Sequence, residues 1–187
     1  LTKGQRVSLE KVSPGLEAVF VGLGWDVNQS DTGNDFDLDT SVFLLGEDDK
    51  LVSDNHLIFY NNLKSPDPDT SVEHMGDNLT GAGEGDDEVV IVNLKKVPEE
   101  VQKVTFIVTI YDAEKRGQNF GQVKNAFVRL VNVKTKEEVL RYDLTEDYSV
   151  ETAMIMGELY KKEGEWRMSA IGDGYEGGLQ TIINRYS

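Results

Sequence analysis

Two stretches of this 187-residue chain gather carboxylates at spacings suited to holding cations. The first, Trp25 to Asp39, carries five aspartates, and three of them, Asp35, Asp37 and Asp39, alternate with Phe36 and Leu38 as the chain enters the apolar run Ser41 to Leu45. Side chains two apart on a strand point to one face, so these three carboxylates are expected on one side, with Phe36 and Leu38 on the other. The second, Gly76 to Glu88, adds five acids just before the run Val89 to Leu94. Its glycines at 81, 83 and 85 permit tight backbone turns that aim carbonyl oxygens inward as ligands.

Like charges this close repel, by about 1 kcal/mol per pair at 4 Å in water and more where solvent is excluded. Dications would remove most of that repulsion. Solvated acidic loops are the ordinary explanation of a charge run, but they require neither carboxylates alternating with core residues nor glycines so regularly placed. The chain has no cysteine and only two histidines, His56 and His74. Any metal site must therefore be built from oxygen, which points to Ca²⁺, Mg²⁺ or Mn²⁺.

Other chemistries fit less well. An EF-hand starting at Asp35 would need glycine where Thr40 stands and glutamate where Gly46 stands. Gly81 to Gly85 lacks the spacing and ending of a nucleotide loop, and its acids would repel phosphate. No nucleophile arrangement lies near either histidine, which are read as surface or hydrogen-bonded structural residues. Paired carboxylates suit glycoside hydrolysis, but carboxylates neutralised by a metal cannot act as acid and base. The segments Arg116 to Gly121 and Asp173 to Gly178 read as a shaped turn and a loop.

The elements that must position these residues follow from composition and pattern. With 39% hydrophobic and 28% charged residues, the chain has ordinary globular usage. Its length suits a single domain, 1–187, burying roughly 70% of the surface of the unfolded chain. A net charge of −15 argues against nucleic acid as a partner, because phosphate binding needs clustered Lys and Arg. The sequence shows no apolar run of membrane-spanning length and no signal-peptide pattern, so a cytoplasmic location is expected.

Short β-branched and aromatic runs recur between Gly and Asp rich turns: Arg6–Leu9, Ala18–Leu23, Ser41–Leu45, Leu57–Tyr60, Val89–Leu94, Val104–Tyr111, Phe127–Val133, Val139–Leu144 and Trp166–Ile171. This pattern predicts a mainly β protein, a two-sheet β-sandwich with a few short helices. Gly46–Lys50 and Val133–Glu137 read as hairpin turns. Pro98–Gln102 could form one helical turn, Glu151–Lys161 reads as helix or strand, and Leu179–Tyr186 as a terminal helix.

Gly22-Leu23-Gly24-Trp25-Asp26, Phe36-Asp37-Leu38-Asp39, Gly76-Asp77-Asn78-Leu79-Thr80-Gly81, Gly85-Asp86-Asp87-Glu88 and Arg116-Gly117-Gln118-Asn119-Phe120-Gly121 resemble, in order, the signatures of the tellurium-resistance TerD family. The resemblance implies a sandwich binding two neighbouring Ca²⁺ ions in a cytoplasmic protein of tellurite and general stress resistance. By position it implies Asp26, Asp37, Asp39, Asp77, Asp86, Asp87 and Glu88 as ligands, with Asp35, Asn61, Asn78 and the Gly85 carbonyl behind them. The expectation is a binding or scaffold module, not an enzyme, whose partners are calcium and other proteins of a stress-resistance complex. The alternatives are a carboxylate- or metal-dependent hydrolase and a calcium-bridged binder of lipid or carbohydrate.

Overall fold

The structure is a computed structural model and describes residues 1–27, 38–75, 88–110, 113–117, 119–120, 123–144 and 151–187. Its strands are β1 (Arg6–Ser8), β2 (Ala18–Val27), β3 (Leu38–Leu45), β4 (Leu57–Ile58), β5 (Val72–His74), β6 (Glu88–Asn93), β7 (Lys103–Ile110), β8 (Val123–Asn132), β9 (Glu138–Asp143), β10 (Ala153–Lys162) and β11 (Glu165–Tyr175). The helices are α1 (Leu9–Val12), α2 (Ala113–Arg116) and α3 (Leu179–Arg185), and Asp54–His56 forms one 3-10 turn.

Two antiparallel sheets result, in the orders β1-β11-β10-β7-β3-β4 and β5-β6-β2-β8-β9. Alternation along the strands explains the layering. In β3, Leu38, Val42 and Leu44 enter the core between the sheets, whereas Phe43 and Leu45 join a second apolar cluster with Ile107, Ile155 and Ile182. Ile182 belongs to α3, so the helix covers the outer face of the six-stranded sheet. Fully burying one such Leu or Phe side chain is worth about 1.5–3 kcal/mol. Phe43 also meets Tyr186, their ring centres 5.5 Å apart.

All nine expected runs fall in or overlap strands, and the two expected hairpin turns form. Gly46 N–H donates to the Lys50 carbonyl at 2.8 Å, and Asn132 N–H to the Glu137 carbonyl at 2.9 Å. The ambiguous segment Glu151–Lys161 is strand β10, which turns into β11 through Glu163 and Gly164. Both have positive φ, 55° and 78°, as a two-residue hairpin with right-twisted strands requires. Pro98–Gln102 is a turn closed by Val101 N–H on the Pro98 carbonyl at 3.0 Å, not a helix. Strand β5 and helices α1 and α2 were not anticipated, each being only three or four residues long.

Candidate metal centre

β2 continues to Val27 and β3 already begins at Leu38, so the first acidic stretch is strand at both edges. Because β5, β6 and β2 are antiparallel neighbours, the C-terminal ends of β5 and β2 lie beside the N-terminal end of β6. This end is joined to the other sheet by Thr40 N–H, which donates to Glu88 Oε2 at 2.8 Å. The residues flanking both acidic stretches, Val27, Leu38, Met75 and Glu88, therefore gather at one end of the sandwich.

Glu88 points inward with Val90 and Val92, and it is 3% exposed. His74, 5% exposed, approaches the same Oε2 with its Nε2 at 3.3 Å. His74 stands opposite Val90 in the ladder, which places it diagonally across from Glu88 on one face of the sheet. Glu88, His74 and the Thr40 amide together plug the space between the sheets. Thr40 Oγ1 lies in this plug, buried and with no hydrogen-bond partner among the described residues. Leaving such an oxygen unpaired costs about 1–3 kcal/mol.

Asp39 faces the other way. It shares the outer side of β3 with Ser41 and, with Tyr60, Thr109 and Leu179, lines a cleft of about 170 Å³ beside α3. Leu38 is in the core, so the expected opposition of Leu38 and Asp39 holds. Asp39 and Glu88 thus occupy the same end but opposite faces of β3. Asn61 is exposed in the turn after β4, where Phe59 and Asn62 exchange backbone hydrogen bonds at 3.0 and 2.8 Å. Its neighbour Tyr60 reaches the Asp39 cleft. Asp26 stands on β2 in register with Lys124 of β8, on a strand rather than in a loop.

The expected ligands Asp35, Asp37, Asp77, Asn78, Gly85, Asp86 and Asp87 lie outside the described residues. Among the described residues no three His, Asp or Glu side chains come together as a metal site. The described donors are oxygen, the type a hard dication takes, but they do not converge: the half-buried Asp39 carboxylate lies on the outer face of β3, whereas the Glu88 carboxylate and the Thr40 hydroxyl are buried on its inner face. His74 is the partner that sequence reasoning missed. The sequence marks His74 only as a surface or hydrogen-bonded structural residue, because its pairing with Glu88 depends on the register of β5 against β6.

His56 is buried, bonds Ser53 Oγ through Nδ1 at 2.6 Å, and burial lowers its pKa, with Glu100 and Asp67 opposing. Gly117, at φ 63°, ends α2 in the left-handed region. Asp173 lies on β11 with Lys3 at 3.5 Å.

The fold defines the class: a two-sheet antiparallel sandwich with the flanks of two acidic stretches of sequence at one end. The TerD domain model matches residues 1–186, and the chain belongs to that family. It is 61% identical to General stress protein 16U of Bacillus subtilis (strain 168), over 100% of this chain and 95% of that protein. It is 55% identical to Tellurium resistance protein TerD of Serratia marcescens, again over 100% and 95%. A crystal structure of a homologue of telluride resistance protein (TerD) from Streptomyces coelicolor A3(2) shares the fold, with TM-score 0.68 at 20% identity over 90% of this chain and 96% of that one. The family is thus one of tellurium-resistance and general stress proteins. Among the described residues no helix is long and apolar enough to cross a membrane.

Proposed function

We propose that this chain is a calcium-binding module of tellurite and general stress resistance, holding two Ca²⁺ at the acidic end and acting in the cytoplasm as a binding or scaffold protein rather than a catalyst. The observation that carries the reading is the Thr40 to Glu88 hydrogen bond at 2.8 Å, which brings the flanks of both acidic stretches to one end of the fold. Asp26, Asp39 and Glu88 would act there with Asp35, Asp37, Asp77, Asn78, Asp86, Asp87 and the Gly85 carbonyl, and Asn61 at the margin. Bound calcium would neutralise the carboxylates and order the two stretches as a surface for another protein of the same system. Glycine-rich segments with many oxygens suit the six to eight ligands of calcium better than the strict octahedron of magnesium.

Calorimetric titration with Ca²⁺, repeated in competing Mg²⁺ and Zn²⁺, tests the reading. Two calcium ions per chain, preferred over magnesium and with weak zinc binding, are expected; absence of heat, or a stoichiometry far from two, contradicts it.

A further inference from the structure

A cleft of about 410 Å³ opens on the outer face of the six-stranded sheet, beside α3 and away from the Glu88 and His74 plug. Its volume sits at the small end of the range for ligand sites, about 300–1,000 Å³. Leu45, Ile155 and Ile171 give it an apolar floor, and Glu158 and Arg185 stand on its walls.

Glu158 is there because β10 breaks its alternation. Met154 and Met156 face the core, so Glu158 would follow them inward. Instead the ladders of β10 with β7 and with β11 both shift register between Ile155 and Gly157. Leu159 then enters the core, and Glu158 turns outward. Gly157 suits this bulge, since a Cβ there would lie 2.6 Å from Met168 Cε and 3.2 Å from the Ser169 carbonyl. Bulges of this kind recur beside functional sites, where they re-aim a side chain.

The Glu158 side chain is only 13% exposed. Thr105 Oγ1 donates to its Oε2 at 2.9 Å, while Lys103 Nζ is 3.9 Å from Oε1 and nearer to Asp49. Lys103 and Arg6 supply positive charge near the carboxylate, and Asp49 opposes them. Burial pushes its pKa up, against the pull of Thr105 and Lys103. Across the cleft the Arg185 guanidinium stacks over Tyr175 and Tyr186, at 5.3 and 5.9 Å from the ring centres. An anion-only ligand would meet Glu158, and a cation-only ligand would meet Arg185. Asp49, Lys103, Asp173 and Tyr186 complete the lining, with Lys103 paired to Asp49 and Asp173 to Lys3. A ligand carrying both charges on an apolar frame answers Glu158, Arg185 and the apolar floor together.

We propose that this cleft binds a small zwitterion of amino-acid size, its ammonium group on Glu158, its carboxylate on Arg185 and its apolar chain against Leu45, Ile155 and Ile171. This goes beyond the calcium reading and does not depend on it. The test is therefore made on the whole chain in chelator, following amide NMR shifts as L-leucine is added, with isoamylamine and 4-methylpentanoate as single-charge probes of similar frame. Leucine should give saturable shifts around the cleft, with each single-charge probe at least about tenfold weaker, the loss expected for one charge-assisted contact of about 1.5–3 kcal/mol. Glu158→Gln and Arg185→Gln should each weaken leucine by about tenfold or more with the rest of the amide spectrum unchanged. Should Glu158→Gln perturb folding, the exposed Arg185→Gln decides alone. Shifts that do not saturate, single-charge probes that bind as well as leucine, or leucine binding indifferent to Arg185→Gln would overturn the proposal.

Discussion

Glu88 of β6 and His74 of β5 face each other at 3.3 Å between the two sheets of the sandwich, both buried. Glu88 Oε2 also accepts the Thr40 amide from the opposite sheet, so one carboxylate fastens three strands. A residue expected as a metal ligand is thereby a structural fastener as well. Glu88→Ala should destabilise the fold by about 3 kcal/mol, because it leaves the buried Thr40 N–H without its acceptor and removes the carboxylate packed against buried His74. Urea unfolding in chelator measures this without any contribution from metal. A loss below about 0.5 kcal/mol would mean that the contact is incidental.

Asp39 makes a contrasting case, since it lies at the same end but on the outer face of β3. Asp39→Asn should lower calcium affinity about tenfold or more. Asp173→Asn, which removes a carboxylate held by Lys3 on β11, should leave calcium affinity unchanged. Equal effects from both substitutions would show that titration reports bulk charge and not a site.

Asp67 organises the connection from β4 to β5, its carboxylate accepting Ser71 N–H at 2.9 Å and Ser71 Oγ at 2.8 Å. Burial raises its pKa, but hydrogen bonds from Ser65 and Ser71 outweigh burial and leave it below the usual value. Its stabilisation is therefore fully present above the unfolded carboxylate range, near pH 4, and is lost as pH falls through the depressed folded value. Asp67→Ala should cost about 1–3 kcal/mol at neutral pH. The gap between the two proteins in urea should narrow in acid, and a gap that widens instead would contradict the assignment.

Glu158 has the opposite sign. Burial holds its folded pKa above the ordinary value, so its contribution is fully present below the unfolded pKa and is lost as pH rises through the folded one. Glu158→Gln, which keeps an acceptor for Thr105, should gain in melting temperature relative to the parent as pH is raised from 4 to 8. A difference independent of pH across that range would contradict the burial argument.

The strands were legible where β-branched and aromatic runs end in Gly and Asp rich turns, as in Ala18–Leu23 and Phe127–Val133. β10 was not, because α3 covers its outer face while the core covers its inner one. Its apolar run Met154-Ile155-Met156 consequently shows neither strand nor helix period, and the bulge after it shifts the pattern again. The proposed ligand acids rest on spacing and resemblance, and Asp35, Asp37, Asp77, Asp86 and Asp87 lie outside the described residues. The Glu88 to His74 pairing could not be read from the sequence, since it depends on the register of β5 against β6. Nor could the separation of Asp39 and Glu88 onto opposite faces of β3, which only the packing of one sheet on the other decides.

The central claim, that the acidic end is a calcium site and not merely a solvated charged face, is tested most directly by the melting temperature in chelator, in low millimolar CaCl₂ and in NaCl of matched ionic strength. A ligand held only by the folded state stabilises it by about 2.7 kcal/mol per independent site at a hundredfold excess over Kd. Sodium screens exposed charges over about 8 Å at physiological strength but cannot occupy an oxygen cage. Calcium should therefore raise the melting temperature well above its value in chelator, and matched sodium should recover only a small part of the rise. Sodium restoring as much as calcium would show that these carboxylates form a screened charged surface and that the calcium assignment is wrong.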